Sequence, residues 1–405
     1  MKPLGPIPPG YGAIEGVLAI AGQPVTELVA QAGDTPLFVY SADLIRARID
    51  ALRAAMPGRL AIHYAVKANP FGPVLKLLAG LVDGFDIASG GELAMTDGFA
   101  NPRSFAGPGK RDAELEAAVG AGVTINLESS GEADRALAIA GRLGVTPRLA
   151  VRVNPEFELR GSGMRMGGRA SPFGVDAEQV PALARRILAA GADWRGFHIF
   201  AGSQALDVEA IIDSQAHTLD LAARLADAVG ATPPLVNLGG GLGIPYFPGE
   251  LPIDVEAIGE ALLPRLAALP DTRFAIELGR WLVGEAGVYL TRIVDRKQSR
   301  GETFLVCDGG LNHQLAATGN LGTVVRRNYP VAVATAAPGA SIETVSVVGP
   351  LCTPLDRLAD QVELPVAHPG DVIAVFMAGA YGLSASPHDF LGHPRPLELL
   401  VAKRP

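Results

Sequence analysis

Lys67 is the first residue whose position in the sequence suggests chemistry. It ends the apolar run 62–66 within IHYAVKANP, and Asn69 and Pro70 close the segment. One explanation is that a strand simply emerges into water there, because most lysines are solvated surface charges. The other is that Lys67 is held partly desolvated in a pocket, where its amine can form a Schiff base.

Two glycine-containing segments further along could bind a phosphate. Residues 239–243 read GGGLG, and Gly279 precedes Arg280. Bare backbone N–H groups of such loops can close around oxyanions, although a tight turn also needs glycines. Glu277 lies just before the second segment. Since a phosphate would repel it, Glu277 faces either a bound cation or an arginine in a structural salt bridge.

Lys67, Glu277 and the glycine segments must be positioned by regular secondary structure. The chain alternates between short apolar runs, typical of strands, and Ala- and Leu-rich stretches with helical spacing. The predicted strands are 60–66, 84–88, 104–107, 123–127, 148–153, 196–200, 235–238 and 274–277. Eight strand-then-helix units over roughly 240 residues are typical of a TIM barrel, an α/β fold. A doubly wound sheet is the competing architecture. In a barrel the carboxyl ends of the strands meet at one face, so Lys67, the glycine loops and Glu277 would share a site.

A Schiff-base lysine, a phosphate site after strands seven and eight, and an acid facing a cation together describe one cofactor. Pyridoxal 5'-phosphate has a phosphate, an aldehyde and a pyridine nitrogen that works best when protonated. The sequence therefore predicts that Lys67 ends its strand because it holds this cofactor. No metal site is predicted.

The remainder of the chain predicts a second, all-β domain. After residue 280, apolar segments alternate with Gly and Pro turns and no long amphipathic helix intervenes. We expect an N-terminal arm at 1–34 that pairs with the β domain, a cofactor-binding barrel at 35–280 and the β-rich domain at 281–405.

Composition narrows the class of protein. Of 405 residues, 48% are hydrophobic and 19% charged, so the chain can bury a large core. The net charge of −8 argues against nucleic acid and anionic membranes as partners. Two cysteines give no disulfide framework. The N-terminus lacks a signal-peptide core, and the longest uncharged apolar run, 372–380, is too short to span a bilayer. We expect a cytoplasmic location.

Seven ordered motifs resemble the fold-type III pyridoxal-phosphate decarboxylases. They are HYAVKAN, FDIASGGEL, GFHIFAGSQ, NLGGGLG, ELGR, GPLCTPLD and GAYG. This family contains the diaminopimelate and ornithine decarboxylases, built from an alanine-racemase-like barrel plus a β domain. Four further segments, SGMRMGG, GLNHQLAATGNLG, RRNYPV and GPLCTPLDRL, are similar to a subgroup of exosortase-associated and glutamyl-carrier-protein decarboxylases.

The resemblance implies α-decarboxylation of an amino acid or of an aminoacyl group tethered to a carrier protein, through a Lys67 aldimine and a quinonoid carbanion. Glu277 would pair with the pyridinium nitrogen. Cys352 would enter the partner subunit's active site as a proton donor, which implies a head-to-tail homodimer with shared sites. The implied cofactor-binding residues are Lys67, Asp86, Arg152, Phe200, Ser203, Gly240, Gly241, Glu277, Gly279, Arg280 and Tyr381. Without the resemblance, Cys352 is more simply a small buried apolar residue.

Three positions depart from the family pattern. Phe200 replaces a histidine that stacks on the cofactor ring in many relatives, and it can stack but cannot titrate. His198, two residues earlier on the same strand face, is either a packed core histidine or a group that supports the site. Pro172 stands where many relatives have a lysine that helps the dimer interface in some of them.

Thr353 is the departure that bears on the substrate. Enzymes that decarboxylate free diamino acids have an acidic residue after the cysteine, where it holds the distal ammonium. Here the loop has no carboxylate until Asp356. Losing the ionic partner of a desolvated ammonium typically costs several kcal/mol, so a substrate without that charge fits better.

Arg326, Arg327 and Tyr329 complete the predicted substrate-binding set with Thr353. The two arginines could bind a carboxylate or the phosphate of a carrier arm, or they could be a solvated surface pair.

Other functions remain open at this stage. A diaminopimelate decarboxylase acting on the free amino acid is one alternative. An amino-acid racemase is another, although racemases of this fold commonly place an arginine, not an acid such as Glu277, beside the pyridine nitrogen. A non-catalytic relative that binds an active enzyme is the third.

Overall fold

The fold is described from a computed structural model that covers residues 2–161, 163–165, 167–319 and 327–404. The chain divides into two compact units. A β-rich unit contains Met1–Arg48, Pro245–Leu251 and Arg280–Pro405, and a barrel unit contains Ile49–Ile244 and Pro252–Gly279.

The barrel unit is built on eight parallel strands. They are Leu60–Ala65, Gly84–Ile87, Arg103–Phe105, Thr124–Leu127, Arg148–Asn154, Asp193–Ile199, Leu235–Asn237 and Arg273–Leu278. Each pairs with the next, and the eighth pairs with the first, so the sheet closes. The predicted TIM barrel is confirmed, and the doubly wound alternative is wrong.

The sixth strand begins three residues before its predicted start. Gly196 has a φ of +96°, and the pairing register with the fifth strand shifts between Trp194 and Gly196. A side chain on Gly196 would lie 1.9 Å from the Leu235 carbonyl oxygen. A bulge at a glycine interrupts the local strand signal, which is why the sequence pattern hid the first half of this strand.

Helices follow the first seven barrel strands. They are Gly72–Ala79, Gly90–Met95, Asp112–Gly120, Ser130–Leu143, Val180–Ala189, Val208–Val229 and Val255–Ala267. Two of them begin alike, because the Ser89 and Ser129 hydroxyls accept from the N–H groups of Glu92 and Glu132. Such caps satisfy N–H groups that the helix itself leaves unpaired.

Large side chains from the strands fill the barrel unit. Tyr64, Phe85, Phe105, Phe197 and Phe274 are all fully buried or nearly so. Burying one such side chain contributes roughly 2–3 kcal/mol, so this set explains why the strands hold their positions. The barrel unit also contains three short elements. They are the 3₁₀ turn Val66–Ala68, the strand Val175–Asp176, and the antiparallel pair of Met164–Arg165 with Gly202–Ser203.

The β-rich unit is built on an eight-stranded sheet, which confirms the prediction of a mostly-β second domain. Its strands are Leu37–Ser41, Gly287–Ser299, Glu302–Cys307, Val331–Val333, Ile342–Val348, Arg357–Pro365, Val372–Val375 and Leu397–Val401. A small sheet of Gly12–Ile14, Val17–Ile20 and Gln23–Pro24 precedes it. The remaining helical segments are Val25–Ala32, Ala42–Ala55, Arg280–Val283, Gly284–Ala286, Leu315–Thr318, Leu383–Ala385 and Phe390–Gly392.

The strand Leu37–Ser41 lies after the predicted domain limit at residue 35 and yet pairs with Gly287–Ser299 and Leu397–Val401. The arm before it touches the same unit, since the Leu18 N–H donates to the Ala334 carbonyl. The predicted domain limits themselves stay predictions. Over the described part of the chain, the helices are too short or too polar to cross a membrane.

Candidate active site

Lys67 stands at the carboxyl end of the first barrel strand. The strand ends at Ala65, and the following 3₁₀ turn carries Lys67 outward while Val66 and Ala68 stay buried. The Lys67 side chain is exposed, and its Nζ lies 5.8 Å from the centroid of the Phe200 ring. The ammonium group is therefore open to solvent and at the same time faces an aromatic ring of the sixth strand's end.

Glu277, at the end of the eighth strand, is buried between polar groups of two neighbouring strands. Its Oε1 lies 3.0 Å from His198 Nε2, and its Oε2 accepts a 3.0 Å hydrogen bond from Asn237 Nδ2. Burial alone would raise the pKa of Glu277, but His198, Lys67 and Arg152 outweigh burial and lower the pKa to about 2. Glu277 is thus a carboxylate, and its direct contacts are an imidazole and an amide, not the barrel arginine of the structural alternative.

Asp86, at the end of the second strand, has the opposite character. Burial raises its pKa well above the ordinary value, the Glu277 charge adds to this, and Lys67 partly offsets it. Among the described residues, Asp86 Oδ1 has no hydrogen-bond partner. A buried polar atom without a partner destabilises the fold. Such an atom is expected where a polar group of a ligand supplies the missing hydrogen bond.

Arg152 is held by a network of buried charges. Its Nη1 donates to Glu128 Oε1 at 2.8 Å, and its guanidinium carbon lies 5.0 Å from the Phe173 ring centroid. Glu128 also accepts from the N–H groups of Gly107 and Gly174 at 2.6 and 2.7 Å. Because Glu128 accepts two backbone N–H groups as well as Arg152, the orientation of Arg152 is tied to the loops after the third and fifth strands.

Lys110 and Glu132 extend this network, because Glu132 contacts both Lys110 and the backbone of Glu128. Lys110 Nζ donates to Glu132 Oε1 at 2.8 Å and to two backbone carbonyls, and Glu132 Oε2 accepts from the Glu128 N–H at 2.8 Å. Both side chains are almost fully buried. Every charge is compensated within the network, as buried ions require.

The glycine loops lie against the other strand ends. A side chain on Gly240 would stand 2.3 Å from the Glu277 carbonyl oxygen, and one on Gly279 would stand 2.7 Å from Ala68 Cβ. Gly241 has a φ of +114° and approaches the Gly202 carbonyl. Only glycine allows these approaches, so the loops after strands one, six, seven and eight meet in one place.

Ser203 lies beside these glycine loops, which we call the glycine cradle (Gly240, Gly241 and Gly279). Its Oγ is buried and has no hydrogen-bond partner among the described residues. Like Asp86 Oδ1, it is a buried polar atom at the strand ends without a hydrogen-bond partner among the described residues. The barrel residues therefore fit a ligand with a phosphate near Ser203 and the glycine loops, an aldehyde at Lys67 and a cationic ring atom at Glu277.

In the β-rich unit, Arg280 is clamped by tyrosines. Its Nη1 donates to the Tyr246 hydroxyl at 2.8 Å, and its guanidinium carbon lies 4.7 Å from the Tyr381 ring centroid. The backbone of Tyr381 has a φ of +53°, a conformation that non-glycine residues seldom adopt. Arg280 and Tyr381, predicted to reach the phosphate, are thus brought together.

The predicted substrate-binding residues differ in accessibility. Tyr329 is buried, with its ring centroid 4.8 Å from that of Tyr246. Arg327 stacks on Phe247 at 3.7 Å, and its Nη1 lies 3.3 Å from Glu250 Oε1. Arg326 lies outside the described residues. Their contacts with substrate stay predictions.

The side chains of the loop that carries Cys352 differ in their exposure to solvent. Cys352 is exposed, so the interpretation of Cys352 as a small buried apolar residue is wrong. Thr353 is half-buried, and its Oγ1 accepts from the Leu355 N–H at 3.3 Å. Asp356 is buried, with Oδ1 accepting from the Leu311 N–H at 2.6 Å and Oδ2 from the Leu351 N–H at 2.8 Å. The first carboxylate of the loop is therefore committed to the backbone.

Sequence analysis missed Asn237 and Tyr246. Asn237 is the single polar residue of an apolar strand, a signal that could have found it. Tyr246 follows the glycine loop by three residues and carries no comparable signal, because its contact with Arg280 depends on distant parts of the chain.

Comparisons with known proteins agree with this site. Residues 42–284 match the family model described as the pyridoxal-binding domain of pyridoxal-dependent decarboxylases. The chain is 37% identical over 380 residues to the L-glutamyl-[BtrI acyl-carrier protein] decarboxylase of Niallia circulans, covering 91% of this chain and 89% of that protein. It is 34% identical over 399 residues to a diaminopimelate decarboxylase of Aquifex aeolicus, covering 96% and 91%.

A solved structure of diaminopimelate decarboxylase from M. jannaschii, in co-complex with L-lysine, matches with a TM-score of 0.87 at 27% identity, covering 98% of this chain and 93% of that one. The chain belongs to the pyridoxal-dependent decarboxylases. It is a carboxy-lyase of fold type III that uses pyridoxal phosphate to remove CO₂ from an amino-acid substrate.

Proposed function

We propose that this enzyme decarboxylates an α-amino acid whose side chain lacks a terminal ammonium group, in particular an aminoacyl group tethered to a carrier protein. The observation that carries this proposal is the loop after Cys352. Thr353 offers a hydroxyl in place of a carboxylate, and Asp356 already accepts two backbone N–H groups while buried. A desolvated substrate ammonium would find no ionic partner on this loop. The carrier-protein substrate named for the N. circulans relative supports the same class.

Residues of the barrel unit would hold the cofactor. Lys67 would bind its aldehyde carbon, while Ser203, Gly240, Gly241 and Gly279 would bind its phosphate. Bound pyridoxal phosphate supplies an electron sink for the carbanion that loss of CO₂ leaves. Glu277, held ionised, would keep the ring nitrogen protonated, because a carboxylate at hydrogen-bond distance raises the pKa of a base.

Other residues would orient the reacting groups. Asp86, Arg152 and Phe200 line the strand ends around Lys67, and the Phe200 ring offers an apolar face for stacking without a titrating group. The assignment of Arg280 and Tyr381 to the phosphate rests on the family resemblance and on their mutual contact.

Cys352 would return a proton to the α-carbon in the active site of a second copy of the chain. Its exposure supports this role, since a thiol that serves another subunit must be accessible in the single chain. The active unit is then a homodimer with two shared sites. A cytoplasmic location is supported by the two free cysteines.

Decarboxylation of free diaminopimelate is the second candidate. The similarity to the A. aeolicus enzyme over 96% of this chain favours it. It requires that the distal ammonium be bound by residues other than the loop that contains Thr353.

CO₂ release from a substrate panel distinguishes the two candidates. The panel contains diaminopimelate, lysine, ornithine, glutamate and a glutamyl group loaded on a carrier protein. We expect release from the tethered substrate and at least about tenfold lower kcat/KM with the free diamino acids, the equivalent of about 1.4 kcal/mol. Efficient release from a free diamino acid would overturn the proposal.

The variant Thr353→Asp sharpens this test. An aspartate there can still accept from the Leu355 N–H, and it restores an ionic partner for an ammonium. We expect it to raise kcat/KM for the diamino acids. Leu355→Asp is the matched control, because it places the same charge two residues away on an exposed position of the same loop. Equal effects of both variants would mean that charge alone, and not position, is responsible.

A further inference from the structure

Both oxygens of the Glu277 carboxylate lie within 3.0 Å of side chains with no other described role at the site. His198 Nε2 lies 3.0 Å from Oε1, and Asn237 Nδ2 lies 3.0 Å from Oε2. All three residues are at most 5% exposed. They come from the sixth, seventh and eighth strands, which are consecutive in the barrel.

The chemistry of these contacts limits which group can donate. A carboxylate oxygen can only accept, so His198 can donate to Glu277 only when its Nε2 carries a hydrogen. The Asn237 amide is oriented independently, because its Oδ1 accepts from the Gly239 N–H at 2.9 Å. Its Nδ2 therefore faces Glu277 whatever Glu277 does.

Other charged groups also face Glu277, and they do not cancel the effect of these two residues. Lys67 and Arg152 favour its ionised form, whereas the nearby Asp86 opposes ionisation of both carboxyl groups. His63, opposite Glu277 on the first strand, is buried, and burial lowers its pKa, so it adds no full charge.

We propose that His198 and Asn237 act as positioning residues that hold Glu277 ionised and aimed at the ring nitrogen of the cofactor. This rests on the proposed pairing of Glu277 with that nitrogen. Rotation of the carboxylate would lose these two contacts, and its protonation would weaken both, so the nitrogen faces a persistent negative charge. The role of His198, left open between core packing and support of the site, is then support.

The test is ¹⁵N NMR of the holoenzyme loaded with pyridoxal phosphate labelled at the ring nitrogen, titrated between about pH 6 and 9. The chemical shift reports whether the nitrogen is protonated. We expect His198→Leu and Asn237→Ala to lower the pKa of the nitrogen by about one unit or more, a tenfold change in the protonated ratio. His198→Gln retains a side-chain N–H donor and should lie nearer to the wild type.

Asn126→Ala is the matched control. Asn126 is also a buried amide at a barrel strand, but its Nδ2 donates to Ser104 Oγ at 2.7 Å, so its loss should leave the nitrogen titration unchanged. If His198→Leu does not fold, His198→Gln and Asn237→Ala still decide the question.

Glu277→Gln distinguishes the pairing of Glu277 with the ring nitrogen from the positioning role of His198 and Asn237. If Glu277→Gln shifts the titration while the His198 and Asn237 variants match the wild type, the positioning role is wrong and the pairing of Glu277 with the nitrogen stands. If Glu277→Gln also leaves the titration unchanged, the pairing fails and the positioning role fails with it.

Discussion

Glu277 and Asp86 show how two buried carboxyl groups of one barrel acquire opposite properties. Glu277 has donors on both oxygens and nearby cations, so its pKa falls to about 2. Asp86 has an oxygen without a described partner and Glu277 as a neighbour, so its pKa rises. Neighbouring charges, together with hydrogen bonding to the charged form, decide which carboxyl group ionises when burial penalises both.

This difference predicts opposite effects on stability. Because the folded state binds the Asp86 proton more tightly, the wild type loses stability as pH rises above about 3.9, the unfolded value. Asp86→Asn cannot ionise and avoids that loss. We expect the melting temperature of the apoprotein variant to be about 3 °C above that of the wild type at pH 7 and equal to it near pH 3. Calorimetry of both proteins at each pH measures this difference.

Glu277→Gln should behave in the opposite way. The stability that ionised Glu277 contributes is fully present above its unfolded pKa of about 4.3 and is lost as pH falls towards about 2. This variant should therefore melt lower than the wild type at pH 7 and approach it in acid. A rise in melting temperature for both variants at pH 7 would contradict the assigned charge states.

At the scale of elements, the loops after the strands carry the site and the strands fix the loops. The glycine loop after the seventh strand approaches the Glu277 carbonyl so closely that no side chain fits at Gly240. The Glu128 carboxylate ties two further loops to Arg152 through backbone N–H groups. Rigid attachment of this kind is what lets loops hold catalytic groups in position.

Gly240→Ala tests the glycine loop. The added methyl would lie 2.3 Å from the Glu277 carbonyl oxygen, so the loop must move away from the cradle. We expect cofactor affinity to fall about tenfold or more and the unfolding free energy to fall by about 1–3 kcal/mol, measured by absorbance titration and urea unfolding.

Gly141→Ala is the control for that prediction. Gly141 lies in the helix Ser130–Leu143, and a side chain there meets nothing within 4 Å. Alanine in a helix interior is favoured over glycine by about 0.5–1 kcal/mol, so this variant should be slightly more stable and bind the cofactor normally. Unchanged affinity in Gly240→Ala would show that the loop does not contact the phosphate.

At the scale of the whole molecule, the prediction concerns assembly. If Lys67 and Cys352 serve the same reaction from different subunits, Lys67→Ala and Cys352→Ala should each be nearly inactive alone. After dissociation and reassociation of a mixture, half of the dimers are mixed, and each mixed dimer has one intact site. We expect activity to recover to about one quarter of the wild type. Activity that stays at the level of the separate variants would show that Cys352 acts within its own subunit or not at all.

The positions of the strands could be predicted because the signals are local. All eight barrel strands occur where apolar runs alternate with helical spacing, and Lys67, Asp86 and Glu277 lie at or just beyond the ends of these strands. The sixth strand was predicted too short since Gly196 forms a bulge whose conformation depends on Leu235 of the next strand. The pairing of the strand Leu37–Ser41 carries no local signal, because its partners, residues 287–299 and 397–401, are far away in sequence.

By itself, the sequence predicted the barrel and the cofactor, because both depend on residue types at the ends of recognisable elements. The reaction class followed from the ordered motifs that resemble the fold-type III decarboxylases. The tertiary structure decided which groups those residues meet. It placed His198 and Asn237 beside the two oxygens of Glu277, and it buried Asp356 with its carboxylate accepting from the N–H groups of Leu311 and Leu351. Such pairings form between strands or loops that are distant in sequence, and only the closure of the fold brings them within hydrogen-bond distance.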